Sequence, residues 1–213
     1  MGQGSKRASV RRRTGRGSAW ARLACVAAWA LAPLGAAAAD APEVVQTVCA
    51  ACHGPDGNSL APTFPKLAGL QVEYLEKQLR EFLSGKRKND LMDSSLPALK
   101  AANLGDVVAY YASQKRSAGT VSDDKLAAAG KAIYDDGNTG SGVPSCSGCH
   151  QPEGEGNARY PRLAGQHATY TMAQMQAFKE GTRTNDKARV MRAVAARMTE
   201  QEIAAVAEYI AGL

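Results

Sequence analysis

Residues 49–53 read CAACH and residues 146–150 read CSGCH. The chain has 213 residues, five cysteines and three histidines, so one pentapeptide pattern used twice takes four of the cysteines and two of the histidines. A C-x-x-C spacing within a helical turn brings two sulfurs together. That suits a zinc site, a redox dithiol, or addition across the two vinyl groups of a haem. The adjoining histidine decides among them: two thioethers pin the edge of the ring while the next residue reaches the iron. Zinc would want four ligands, and each copy offers two cysteines and one clear histidine. A thioredoxin-like dithiol wants a β-α-β setting, and no stretch of this chain alternates convincingly as a strand.

The pentapeptides belong to a longer repeat. FPKLAGL (64–70) matches YPRLAGQ (160–166), and EYLEKQLREFLSGKRKND (73–90) matches TYTMAQMQAFKEGTRTND (169–186), both at an offset of 96. The CxxCH pairs are offset by 97, and DVVAYYASQ and AAVAEYIAG by 98, a drift that small loop indels explain. Two copies are too few for a solenoid, so the repeat reads as two similar domains in tandem. Domains of this size are marginal without a staple, and a covalent cofactor supplies one. The expected fold is all-α. PEVVQTVCAAC and DKLAAAGKAIYDD lead into the two motifs as helices. QVEYLEKQLREFLSG is amphipathic, with Val72, Leu75, Leu79 and Phe82 on one face and Gly85 ending it. LGDVVAYYASQ and TEQEIAAVAEYIAGL close the halves as helices. The last opens on Thr199 with Glu202 three residues on, a capping box. SQKRSAGTVSDD (113–124) is polar and reads as the linker.

Charge excludes a nucleic-acid binder. The net +6 looks basic, but seven of the 26 Lys and Arg (Lys6, Arg7, Arg11, Arg12, Arg13, Arg16, Arg22) lie in residues 1–39, where there is no acid. That leaves 19 basic against 20 acidic residues and no basic patch for the folded part. Residues 1–39 instead read as an export signal. An Arg-rich stretch is followed by an apolar run of about a dozen residues, too short to span a bilayer, and then by small residues suited to a signal peptidase. Cleavage is expected near Ala39, which places the mature protein in the periplasm. The expected domains are then 40–115 and 116–213, after a signal at 1–39.

With four positions of a haem iron filled by the ring and a fifth by His53 or His150, the sixth separates a carrier from a catalyst. The first half has one methionine after the signal, Met92, 39 residues past His53. The second has Met172, Met175, Met191 and Met198. A one-residue indel brings Met92 and Met191 into register, and Met191 lies 41 residues past His150. Met172 falls opposite Glu76, a surface position, Met175 opposite Leu79, and Met198 near Leu99, core positions. His167 has Gln71 as its repeat partner and reads as a surface or supporting residue rather than a ligand. Pro65 and Pro161 sit at matched positions. A proline keeps its carbonyl, which could accept the axial histidine ring N–H; the alternative is a plain turn proline.

The doubled CxxCH, FPKLAG, the GxRxND pattern and a methionine before a closing helix resemble the di-haem cytochromes c4, over nearly all of residues 41–213. The resemblance implies two class I cytochrome c domains, each with one covalent haem c and His/Met ligation. Cys49, Cys52, His53 and Met92 match the ligands of the first haem, and Cys146, Cys149, His150 and Met191 those of the second. Pro65 and Pro161 match the prolines that support the axial histidines. It implies a periplasmic electron carrier without catalytic residues. Its partners would be redox proteins: a donor such as a quinol-oxidising complex and an acceptor such as a terminal oxidase, with peripheral membrane association compatible with that role. The alternative is the cytochrome subunit of a dehydrogenase such as a flavocytochrome c sulfide dehydrogenase. A di-haem peroxidase would need one open iron position, against which two matched methionines argue. One departure stands out: only about nine residues separate the cleavage point from Cys49, so the first N-terminal helix is short and its packing on DVVAYY is open.

Overall fold

The computed structural model describes residue 1 and residues 41–213. The expected export signal and its cleavage point at Ala39 lie outside the described residues. In the first half a π-helical turn, Val45–Cys49, runs into α1 (Ala50–His53), followed by α2 (Val72–Leu83), α3 (Asp90–Asp93), α4 (Leu96–Ala101) and α5 (Leu104–Ser113). The second half has α6 (Asp124–Asp136), α7 (Ser147–His150), α8 (Ala168–Glu180), a 3-10 turn (Lys187–Arg189), α9 (Val190–Ala195) and α10 (Glu200–Gly212). Among the described residues there is no strand, only an isolated antiparallel bridge between Asn138 and Val143. The fold is therefore the expected all-α tandem.

The caps follow from the residue types. Asp123 accepts from the Lys125 and Leu126 amides at the start of α6, and Asn103 from Gly105 at the start of α5. The Thr199/Glu202 capping box opens α10 as its spacing predicts.

Each half buries its own small core. Val45, Leu70, Leu75, Val107, Val108 and Tyr111 form the first. Val45 is 0% exposed, so the short N-terminal segment does pack on α5. On α2, Leu75 and Phe82 are buried and Leu79 is partly so, but Val72 is 47% exposed. Val72 opens the helix, and the apolar face expected there begins one turn later at Leu75. Tyr134, Val143, Met198, Ile203, Val206 and Ile210 form the second core. There α6 crosses α10 so closely that a Cβ on Gly130 would lie 1.9 Å from the Ala205 carbonyl oxygen, which only glycine permits.

The halves meet through a polar cluster that follows the repeat. Arg87 donates to Gln78 of its own half at 2.8 Å, and to Tyr170 (3.1 Å) and Gln174 (3.0 Å) of the other. Arg183, its repeat counterpart, donates to Gln174 at 2.8 Å, and to Tyr74 and Gln78 across the interface at 3.3 Å each. The two guanidinium groups stack on the equivalent rings of Phe82 and Phe178, at 4.6 and 4.5 Å. Asn185, 2% exposed, donates to Gln78 at 2.9 Å and Glu81 at 2.7 Å, while Lys77 donates to its carbonyl at 2.8 Å.

The polar linker is strapped down rather than free. Asn58 holds the Lys115 carbonyl and the Ser117 amide, at 3.0 and 2.8 Å. Lys66 donates to the Ala118 carbonyl at 2.8 Å, and Arg116 to that of Leu213 at 2.9 Å.

Candidate functional site

Each CxxCH motif forms one turn of helix. Cys49 and Cys146 are the N-caps of α1 and α7, in helical conformation, and each histidine is the last helical residue. The chain then leaves through the left-handed region, at Gly54 (φ 78°) in the first half and at Gln151 (φ 71°) in the second. With ψ at 156°, Gln151 holds a conformation that is essentially reserved for glycine, at a cost of roughly 1–3 kcal/mol. Tyr134 of α6 donates its hydroxyl to the Gln151 carbonyl at 2.7 Å; in the first half Tyr110, of α5, donates instead to the carbonyl one residue further on, that of Pro55, at 2.9 Å.

The two histidines are held alike. His53 Nδ1 lies 2.9 Å from the Pro65 carbonyl, and His150 Nδ1 lies 2.8 Å from that of Pro161. A carbonyl can only accept, so Nδ1 carries the proton and Nε2 keeps a lone pair for a metal. Burial pushes both rings below the usual imidazole pKa, against the opposing pull of the proline carbonyls. The neutral, metal-binding form is thereby favoured. Phe64 and Tyr160, at matched positions, meet the two rings edge-on at 6.4 and 5.9 Å between centroids.

The donor set fits haem c. None of the four motif cysteines is tied up in a disulfide, so all four sulfurs are available for thioether bonds. Burial raises the pKa of Cys49, and burial with the neighbouring Cys149 raises that of Cys146 to about 11, so both stay protonated and apolar in character. The Tyr111 hydroxyl is buried without a hydrogen-bond partner, in the core against which Cys49 packs. Among the described residues no group of three or more His, Cys, Asp and Glu could hold a bare metal ion.

The methionines sort by packing. Met198 is 2% exposed within the second core, and Met175 packs against that core, as expected. Met172 also packs against it, whereas its register with Glu76 suggested a surface position. Met92, in α3, and Met191, in α9, are half-buried and belong to neither core cluster. Asn89 caps α3 by accepting from the Met92 amide at 3.1 Å. Before Met191 the chain inserts the turn Lys187–Arg189, with Ala188 and Arg189 left-handed at φ 52° and 61°. That insertion explains why the two methionines depart from the repeat offset of 96.

Sequence reasoning missed the residues that join the halves. His167 is half-buried, and its Nε2 lies 2.9 Å from the Ser59 carbonyl and 3.0 Å from Ser59 Oγ. Ser59 Oγ in turn donates to the Phe64 carbonyl at 2.7 Å, beside Pro65. The available signal was the recurrence at an offset of 96 of Tyr and Gln within an amphipathic helix and of Arg just beyond its end, where a core alone requires no polar repeats.

Two all-α halves, each with a CxxCH turn and a proline-anchored histidine, define a tandem c-type cytochrome. The Cytochrome c family model matches residues 38–115 and 127–213. Cytochrome c4 from Pseudomonas aeruginosa is 47% identical over 82% of this chain and 88% of its own length. The crystal structure of reduced recombinant cytochrome c4 from Pseudomonas stutzeri superposes with a TM-score of 0.76 at 44% identity, covering 82% of this chain and 98% of that one. A thiosulfate dehydrogenase electron acceptor from Thiomonas intermedia is 37% identical over 88% of this chain and 84% of its own length. The chain belongs to the di-haem cytochrome c4 family: it is an electron carrier with two covalent haem c groups.

Proposed function

We propose that this protein is a periplasmic carrier of a respiratory chain. Its halves, residues 40–115 and 116–213, would each hold one haem, through Cys49, Cys52, His53 and Met92 and through Cys146, Cys149, His150 and Met191. The haems supply one-electron redox chemistry when bound. The observation that carries the axial assignment is the matched pair of histidines whose Nδ1 protons are given to Pro65 and Pro161, leaving Nε2 free. This contact fixes the tautomer and raises ligand basicity. Met92 and Met191 are the methionines that neither core uses. A soft, neutral thioether favours reduced iron and raises the potential. Both irons would then be saturated, which suits a carrier rather than an enzyme. A quinol-oxidising complex as donor and a terminal oxidase as acceptor complete the reading. The relative named as a thiosulfate dehydrogenase electron acceptor favours a second donor, a dehydrogenase of sulfur compounds.

The test is substitution of each methionine in the holo-protein. Met92→Ala and Met191→Ala should each open one reduced haem to carbon monoxide and lower its potential. Met172→Ala, Met175→Ala and Met198→Ala should leave both closed. Carbon monoxide binding to the unmutated protein would overturn the carrier reading, and an unchanged Met191→Ala spectrum would overturn that ligand.

A further inference from the structure

The peptide groups that orient the two histidines are each held by a glutamine from the opposite half. In the first half the group between Pro65 and Lys66 accepts from His53 Nδ1 through its carbonyl, at 2.9 Å. Its N–H, that of Lys66, donates to Gln166 Oε1 of the second half, also at 2.9 Å. Gln166 closes the contact by donating Nε2 to the Lys66 carbonyl at 3.0 Å. In the second half the group between Pro161 and Arg162 accepts from His150 Nδ1 at 2.8 Å, and its N–H donates to Gln71 Oε1 of the first half at 2.9 Å. Gln71 Nε2 reaches the Glu155 carbonyl at 2.7 Å. Lys66 and Arg162 are repeat counterparts, but the glutamines are not: the counterpart of Gln71 is His167. The same connection is thus built twice from different positions.

We infer that Gln71 and Gln166 are crossed positioning residues, each tuning the axial histidine of the other half's haem through one shared peptide group. Hydrogen bonds in series polarise one another. A glutamine oxygen accepting from the peptide N–H makes the carbonyl of that same peptide a better acceptor. A better acceptor draws more strongly on the histidine Nδ1 proton. The ring becomes more electron-rich and favours oxidised iron. Each half therefore senses the seating of the other through a path of one glutamine, one peptide and one imidazole. A change at the interface, from partner docking or from reduction of one half, reaches the opposite histidine directly. The inference rests on His53 and His150 as the iron ligands.

The experiment uses the full holo-protein with each haem's potential read separately. Haem methyl NMR signals, assigned by their contacts to Cys49 and Cys52 or to Cys146 and Cys149, are followed through a redox titration. Gln71→Ala should raise the potential of the second haem and spare the first; Gln166→Ala should raise the first and spare the second. Amide exchange at Arg162 in the first variant and at Lys66 in the second should accelerate by roughly threefold to tenfold, the loss expected for one hydrogen bond. Gln71→Glu keeps the acceptor oxygen and strengthens it, so it should lower the second haem's potential more than the first's. It keeps the side chain's size but gives up the Nε2 donation to Glu155, and together with Gln166→Glu, which should lower the first haem's potential more than the second's, it decides the matter for either half whose alanine variant fails to fold. A shift in the variant's own half, equal shifts in both halves, or no reversal of sign with glutamate would overturn the inference. His53→Ala and His150→Ala test the underlying ligand assignment separately: each should lose the low-spin spectrum of one haem. If those spectra change as expected while the crossed shifts are absent, only the glutamine inference fails.

Discussion

Asn89 and Asn185 occupy the same place in the two repeats, yet the structure uses them differently, and replacing each with alanine should cost different amounts. Asn89 is exposed and acts as a helix cap, accepting from the Met92 amide at 3.1 Å. Losing such a cap costs about 1 kcal/mol. Asn185 is 2% exposed and makes three side-chain hydrogen bonds. It donates to Gln78 at 2.9 Å and to the Glu81 carboxylate at 2.7 Å, and accepts from Arg183 Nε at 2.9 Å. Two of the three involve charged groups, and two cross between the halves. The lost partners are only partly replaced: Gln78 keeps Arg87, and Glu81 keeps Lys77 and Lys86. With about 0.5–1.5 kcal/mol for a neutral bond and 1.5–3 for one to a charged group, less what the remaining partners recover, Asn185→Ala should cost about 2–4 kcal/mol. The assay is urea denaturation of the holo-protein followed by far-UV circular dichroism, with midpoints compared at constant m. A cost below about 1 kcal/mol for Asn185→Ala, or equal costs for the two variants, would refute the view that the buried amide ties the halves together.

Two further outcomes follow from the cores and the charges. Each half buries only a handful of apolar side chains, so Cys49→Ser with Cys52→Ser should cost the first half its native helicity and protease resistance; retention of both without haem, by circular dichroism and limited proteolysis, would show that the apolar core suffices. Stability should fall as pH drops below about 4.5. Burial alone would raise the Glu81 pKa, but Lys77, Lys86 and Asn185 outweigh it and hold the carboxyl below its ordinary value of 4.5. The Thr199 amide and then Asn138 hold Glu202 low as well. A depressed carboxyl stabilises the fold above its unfolded pKa, and that contribution is lost as pH falls through the folded value. Glu81→Gln should therefore flatten the acid limb of a denaturation-midpoint profile, and an unchanged limb would remove Glu81 from the account.

Much of this protein was legible in one dimension because its chemistry is local. CAACH and CSGCH need only one helical turn to present two thiols and an imidazole, so sequence spacing carries the whole constraint. The repeat was equally plain, since each half must rebuild the same helices from the same apolar positions. The Thr199/Glu202 cap and the core places of Met175 and Met198 followed from spacing and register. Tertiary structure decided what depends on groups distant in the chain. Val72 stays exposed at the first position of α2, whereas Leu75 and Phe82 further along the helix are buried. Met172 packs inward although its repeat partner, Glu76, suggested a surface position. Ser59 and His167 are 108 residues apart, and Gln166 and Lys66 are 100 apart. No local pattern marks such pairs, because a glutamine in a loop looks the same whether it faces water or another half's peptide group. A polar side chain takes its meaning from the partner that replaces water, and only the packing of the two halves supplies that partner.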